Sequence, residues 1–431
     1  MNLPPSLIAY RLLMRCASPL AKPLLMQRTR AGKEDAARRN ERLGRPTFPR
    51  PPGQLVWLHG ASVGESLVLA SLIDAFAASQ PELRFLVTTG TMTSAKLMAQ
   101  RLPPVARHQY LPIDTLGAVR GFLDYWKPDL AVFAESELWP NLVIESQRRG
   151  IPMALVNARM NSRSLANWNK RPDSARHLLA CFDWIGAADS RTRDGLENLT
   201  GQAITLAGNL KLEVRAETPD PKALADIRKK LEGRPVWLAA STHPGEEAII
   251  LHAHALTLKT HPDALLILAP RHPERGEEVA RLIDKQGFRF VQRSAGKMPS
   301  PDHQIWLADT LGEMPLWYGA APAALIAGSL LPDIGGHNPI EASQAGSVVI
   351  SGEHTASFDD LYAIYRQHKA MITVTNAATI TAALEKIWSH RGPPIKAARA
   401  AIAEASGGAM ATSLAALEAL LKDGKAAEIA P

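Results

Sequence analysis

The feature that most constrains this chain is an alternation, run through twice, of short apolar segments with longer amphipathic ones. In the first half the strand-length segments are QLVWLHG (54–60), RFLVTTG (84–90), DLAVFAES (129–136), MALVNARM (153–160), WIGAADS (184–190) and ITLAGNL (204–210), each but the last followed by a helical pattern. These segments are apolar throughout rather than alternating, as expected of a parallel sheet covered on both faces. The polar, proline-containing stretch 213–226 interrupts the pattern, which then restarts at PVWLAAS (235–241), ALLILAPR (264–271), RFVQRS (289–294), QIWLAD (304–309), PAALIAGS (322–329) and SVVISG (347–352). The expected fold class is α/β, with two doubly wound Rossmann-like domains facing a cleft. Their expected limits are 51–212 and 227–400, with a hinge at 213–226, an N-terminal arm at 1–50 and a helical tail at 401–431.

Charge divides the chain differently. The net charge is +7, yet residues 1–50 hold eleven of the 49 basic residues and three of the 42 acidic ones, leaving 38 and 39 for the rest. A body so balanced argues against a nucleic-acid partner. The first 26 residues are rich in Leu and Met but are interrupted by Arg11, Arg15, Pro19, Lys22 and Pro23. No run reaches the roughly 20 apolar residues that span a bilayer, and the order of a cleaved signal peptide is missing. An apolar stretch followed by the basic Arg28–Arg45 suits the surface of an anionic membrane. The plainer alternative is a helical extension packed on the body. Cys16 and Cys181 make neither a disulfide framework nor a zinc site, which fits a reducing compartment.

Polar residues gather where strands end, which is where ligands of such sheets bind. HGASVGES (59–66) resembles a phosphate loop, but Gly60 and Gly64 are too close together and Glu65 stands where that loop has lysine. Glu65 at a helix start could answer the helix dipole or take a proton from a hydroxyl. ESELWPNL (135–142) places Glu135 and Glu137 at another strand end. One of the two could cap the next helix, and one could hold Lys211. LAPRHPERG (268–276) brings Arg271, His272 and Arg275, suited to phosphate or to a solvated turn. DTLGEM (309–314) puts Gly312 near a helix start. GSLLPDIGGHNPIEASQAG (328–346) allows close backbone approach at Gly335 and Gly336, and Glu341 could accept ribose hydroxyls. His337 has no second metal ligand at helical spacing, so a satisfied or ligand-contacting histidine is the better reading. G-x-G-x-x-G, H-E-x-x-H, C-x-x-C and G-x-S-x-G are absent from any convincing setting, against a dehydrogenase, a zinc peptidase or a common hydrolase.

The ordered series WLHGASVGE, YLPID, ESELWPNL, NARMNSRS, GNLKLE, ASTHPGEE, LAPRHPER, DTLGEM and GGHNPIE, with ERLG at 41–44, resembles the 3-deoxy-D-manno-octulosonic acid (Kdo) transferases of Gram-negative bacteria. The resemblance implies a GT-B-type glycosyltransferase that inverts at the sugar, needs no metal or other cofactor, and moves Kdo from CMP-Kdo to the lipid A precursor (lipid IVA) at the cytoplasmic face of the inner membrane. By residue-by-residue match it implies Glu65 as catalytic base and Glu135 with Lys211 as the pair supporting the transition state. It also implies CMP binding by Pro270 and Arg271, by Gly312, Glu313 and Met314, and by Asn338, Pro339, Ile340 and Glu341. Ala342-Ser343, Glu353 and Ser357 depart from the usual family pattern beside those nucleotide segments. The alternatives are a sugar-nucleotide 2-epimerase of the same build and a two-lobed solute-binding protein.

Overall fold

The computed structural model describes residues 3–214, 219–390 and 392–429. The chain divides into two units, Met1–Val214 with Ser406–Pro431 and Arg215–Ala405. The centre of the expected hinge, 215–218, lies outside the described residues.

In the first unit the described strands are β1 (Leu55–His59), β2 (Arg84–Thr89), β3 (Ala106–Tyr110), β4 (Leu130–Ala134), β5 (Met153–Ala158), β6 (Trp184–Ala187) and β7 (Thr205–Leu206). They form one parallel sheet in the order β3-β2-β1-β4-β5-β6-β7. Side chains of β1 alternate between two buried clusters: Leu55 and Trp57 join Phe122 and Phe133 on one face, while Val56 and Leu58 join Val68 and Phe76 on the other. Trp57 meets Phe122 and Phe133 edge-on at 5.0 and 5.2 Å. Burial of each such side chain stabilises the sheet by roughly 1.5–3 kcal/mol.

The second unit repeats the plan with β8 (Val236–Thr242), β9 (Leu265–Pro270), β10 (Phe290–Gln292), β11 (Ile305–Leu307), β12 (Ala323–Ile326), β13 (Val348–Ser351) and β14 (Met371–Thr373). These strands run parallel in the order β10-β11-β9-β8-β12-β13-β14. In each sheet the order reverses beside the first strand, between β1 and β4 and between β8 and β12. Those are the switch points beyond whose carboxyl ends ligands bind.

The sequence reading lacks β3 and β14, both edge strands. ARHQY is polar at three of its five positions and Met371–Thr373 is one short run, so neither carries a strong apolar signal. The expected strand at 204–210 is reduced to Thr205–Leu206, again at an edge.

The arm is built into the first unit. Helices Pro5–Ala17 and Ala21–Arg30 bury Leu7 and Leu25. Arg11 pairs with Glu145 at 2.6 Å, and the Tyr10 hydroxyl donates to Asp114 at 2.9 Å. Glu41, fully buried, accepts from Arg38 and from the backbone N–H of Tyr110 on β3. Gly44, at φ 75°, is obligatory: a Cβ there would stand 2.0 Å from the carbonyl oxygen of Ala118. Arg11, Arg28, Arg38 and Arg42 are therefore tied into internal ion pairs rather than presented outward. The arm presents both apolar and basic side chains: Ile8, Leu12, Leu13, Leu20, Leu24 and Met26 are exposed, and so are Arg15, Lys22, Arg30, Lys33 and Arg45.

The last helix, Ala409–Ile429, returns to the first unit, with Ala409, Leu417 and Leu421 in the cluster beneath β1. The segment Gly392–Lys422 has the length and hydropathy of a membrane span. Gly407 and Gly408 interrupt it with φ of 62° and 70°, and Ala409, Leu417 and Leu421 of its second part pack beneath the first sheet.

Candidate active site

The turn after β1 delivers Glu65. Ser62 caps helix Val63–Ser79, its hydroxyl accepting from the Glu65 N–H at 3.3 Å. The Glu65 carboxylate reaches back, accepting from the Ala61 N–H at 2.7 Å and the Ser62 hydroxyl at 2.5 Å. This is a capping box shifted by one residue, so the capping role is realised. Glu65 is 7% exposed. Each carboxylate oxygen still has a lone pair for a further donor. Gly60 is glycine for this carboxylate's sake, since a Cβ would come within 2.9 Å of Glu65 Cβ.

Beside it, the position of an added Cβ on Gly64 would lie 3.6 Å from Cε and Nζ of Lys211. Lys211 forms an ion pair with Glu135, which follows β4. Two asparagines aim the lysine. Asn157, near the end of β5, accepts from the Leu210 N–H at 2.9 Å, and Asn209 accepts from the Lys211 N–H at 3.0 Å. Glu135 and Asn157 hold φ of 58° and 51°. Non-glycine residues in that region store of order 1–3 kcal/mol and cluster at functional sites. Glu65, Glu135 and Lys211 thus meet around the switch point of the first sheet.

Glu137 turns another way. It accepts from the Trp139 indole N–H at 2.8 Å and lies 3.4 Å from Nε2 of the buried His59, whose Nδ1 faces the Thr88 carbonyl at 3.0 Å. Burial opposes ionisation of Glu137, but His59 and Trp139 outweigh it and hold the carboxyl below its ordinary range. The two glutamates of ESELWPNL therefore have separate partners.

In the second unit the three segments matched to nucleotide binding follow β9, β11 and β12, near the middle of the sheet. Pro270 ends β9 and is buried, and Arg271 follows with its side chain exposed. Gly312, at φ 80°, and Glu313 follow β11, and Met314 starts the two-turn helix Met314–Ala320. The Glu313 carboxylate is occupied by Arg293 at 2.6 Å and by the Thr310 hydroxyl, so this segment offers backbone rather than a carboxylate. After β12, Asn338 accepts from the Ile340 N–H at 3.0 Å, Pro339 precedes helix Ile340–Gln344, and Glu341 is exposed on its first turn. Ser343, one of the family departures, takes the Tyr365 hydroxyl at 2.9 Å. Ser357, another, binds the Ile334 carbonyl beside Gly335.

Several organising residues have no signal of their own in the sequence. Glu246 is fully buried and accepts from three backbone N–H groups: His243 at 3.0 Å, Gly328 at 2.8 Å and Leu330 at 3.1 Å. It stitches the loop after β8 to the loop after β12. Glu247 accepts from Thr242 at 3.0 Å and Arg275 at 2.7 Å. Arg275 is thereby structural rather than offered to phosphate. His337 meets His243, Nε2 to Nε2, at 2.8 Å. Glu246 and Glu247 lie in ASTHPGEE, one of the stretches that carry the family resemblance, but the sequence alone assigns them no role.

Residues 37–214 match the family described as 3-deoxy-D-manno-octulosonic-acid transferase (kdotransferase). The chain is 35% identical over 368 residues to the 3-deoxy-D-manno-octulosonic acid transferase of Bordetella pertussis, covering 81% of this chain and 84% of that one. It is 33% identical over 331 residues to the protein of the same name from Haemophilus influenzae, covering 76% and 77%. A glycosyltransferase of Rickettsia africae superposes with a TM-score of 0.55 at 12% identity, covering 86% of this chain and all of that one, a likeness of fold.

Proposed function

The chain belongs to the 3-deoxy-D-manno-octulosonic acid transferase family, and from that premise we propose how its residues share the reaction. The protein is a Kdo transferase of lipopolysaccharide biosynthesis, a glycosyltransferase drawing on CMP-Kdo. Glu65 takes the proton of an acceptor hydroxyl as its oxygen attacks the anomeric carbon. The Ala61 N–H and Ser62 O–H orient the carboxylate, leaving one lone pair on each oxygen for the incoming O–H. A nearby cation would weaken this base. Pairing of Lys211 with Glu135 largely cancels that charge while leaving the ammonium beside the reacting hydroxyl. The second unit holds the nucleotide, with Arg271 against the phosphate and the loops of Gly312–Met314 and Asn338–Glu341 around the rest. CMP departs as an anion, its charge answered by Arg271.

The acceptor is the lipid A precursor, handled by the first unit. In support, a cavity of about 410 Å³ in that unit is lined by buried Leu7 and Leu178, by Tyr10, Pro140 and Trp168, and by the exposed cations Lys170 and Arg171. An acylated, phosphorylated sugar matches that mixture. The exposed apolar face of the arm rests on the cytoplasmic surface of the inner membrane, where such an acceptor resides.

The observation that carries this reading is the convergence of Glu65, Lys211 and Glu135 from three separate strand ends. Incubation of the protein with CMP-Kdo and lipid IVA, followed by mass spectrometry, is expected to show the acceptor gaining Kdo. An unchanged acceptor, or turnover of UDP-N-acetylglucosamine instead, would overturn it.

A further inference from the structure

His243 and His337 meet at the switch point of the second sheet, on the loops after β8 and β12. Their ring planes lie 18° from parallel, with centroids 5.1 Å apart and Nε2 atoms 2.8 Å apart. The centroid separation is what two rings meeting end to end through these nitrogens require, so they share an N–H···N bond close to the ring planes rather than stacking face to face. One Nε2 must therefore donate and the other accept, since two N–H groups or two lone pairs would repel. The loops are held rigidly. Glu246 binds the N–H groups of His243, Gly328 and Leu330, and the Tyr362 hydroxyl donates to the His337 carbonyl at 2.8 Å.

The charged and titratable neighbours are few. Glu246 and Glu247 lie under His243, the latter carboxylate already taken by Arg275. His272 stands edge-on to His243 at 6.3 Å, and Arg271 acts on both histidines. Without a ligand, burial keeps both rings below their ordinary value, His337 at about 4, and Arg271 adds to the effect. An anion set against Arg271 would reverse that balance and favour an imidazolium. A lone histidine would then carry its charge unaided; here the second ring accepts a charge-assisted hydrogen bond from the first.

We propose that His243 and His337 act as one unit that receives the phosphate of the nucleotide donor and takes up a proton as it does so. The proposal rests on the second unit being the donor site. In the transfer, the acceptor oxygen bonds to the anomeric carbon and its proton goes to Glu65. The bond between that carbon and the phosphate oxygen breaks, and its electron pair stays on the oxygen. The phosphate thereby changes from a singly charged diester to a monoester whose second ionisation lies near pH 6. The imidazolium gives that oxygen its proton, so CMP leaves as a monoanion and the histidines return to neutral. Glu65 then returns its proton to solvent, which balances the one taken up on binding.

The test is calorimetric titration of CMP, and of cytidine, into the full-length protein at pH 7 in two buffers of different ionisation enthalpy. The wild type is expected to take up close to one proton more per CMP than either His243→Asn or His337→Asn, and cytidine to bind all three with no such difference. Because the two rings act together, the single variants should match each other. CMP affinity lost with cytidine binding kept would also support the phosphate role. Equal proton uptake in wild type and variants would overturn the proposal. So would loss of both ligands in these variants and in His243→Gln and His337→Gln, which would assign the histidines a structural role. Failure of the wild type itself to bind CMP would instead remove the donor-site assignment.

Discussion

Replacing Glu145 with glutamine would test how the arm is fastened to the first sheet. The Glu145 side chain is 3% exposed and meets four arginines: Arg11 at 2.6 Å, Arg120 at 2.9 Å, and Arg148 and Arg149 at 3.2 Å. Arg11 is itself buried, so removing its partner leaves an uncompensated charge, at a cost of about 3–5 kcal/mol. The outer arginines are partly exposed and add little each. The same interaction makes the carboxyl's ionisation depend on folding. Burial opposes ionisation, yet Arg120, Arg11 and Arg149 hold the carboxyl at about 2 against an ordinary 4.5. A depressed carboxylate stabilises above its unfolded value and loses that contribution as pH falls through the folded one. The difference corresponds to about 3 kcal/mol, present above pH ~4.5 and lost toward pH ~2. In urea unfolding followed by tryptophan fluorescence, the first unit of Glu145→Gln should melt about 1–3 M earlier at pH 7. The gap to wild type should narrow as the solution is acidified. A midpoint within a few tenths of a molar of wild type, or a gap independent of pH, would refute the reasoning.

Lys211→Met removes the cation beside Glu135 and should lower kcat by roughly 10²-fold or more with little change in CMP affinity; steady-state kinetics with calorimetry would show it. Asp114 is pushed up to about 6 by burial, which outweighs the N–H groups of Asn141 and Leu142 and the Tyr10 hydroxyl. Its contribution to stability is therefore full below pH ~4 and fades as pH rises through ~6; Asp114→Asn should flatten that limb of the stability profile. Replacing the exposed Leu12, Leu13 and Leu24 together by serine should release the protein from anionic vesicles in a flotation assay while its thermal unfolding stays close to wild type.

The central strands were legible because they are buried on both faces and so apolar at every position. The edge strands were not: β3 carries Arg107, His108 and Gln109, and is fixed instead by Glu41 of the arm, 69 residues away from Tyr110. The same divide runs through the site. Placement at strand ends singled out Glu65, Glu135 and Arg271. What sequence position alone does not display is which partner each finds. The roles of Glu246, Asn157 and Glu145 emerge only when segments 82, 53 and 134 residues distant are folded against them. The arm shows the limit most plainly. Its basic composition does not show that Arg11, Arg28, Arg38 and Arg42 are drawn into ion pairs, while Arg15, Lys22, Arg30, Lys33 and Arg45 stay exposed beside the apolar side chains.

Proton transfer to Glu65 is tested most directly by the turnover of Glu65→Gln at saturating CMP-Kdo and lipid acceptor. Glutamine keeps the size of the side chain and one acceptor for the Ala61 N–H, but it cannot take a proton. The expected result is a fall in kcat of about 10²–10⁴-fold with donor affinity within a few-fold of wild type. A kcat within a few-fold of wild type, in a correctly folded variant, would mean that another group receives the proton.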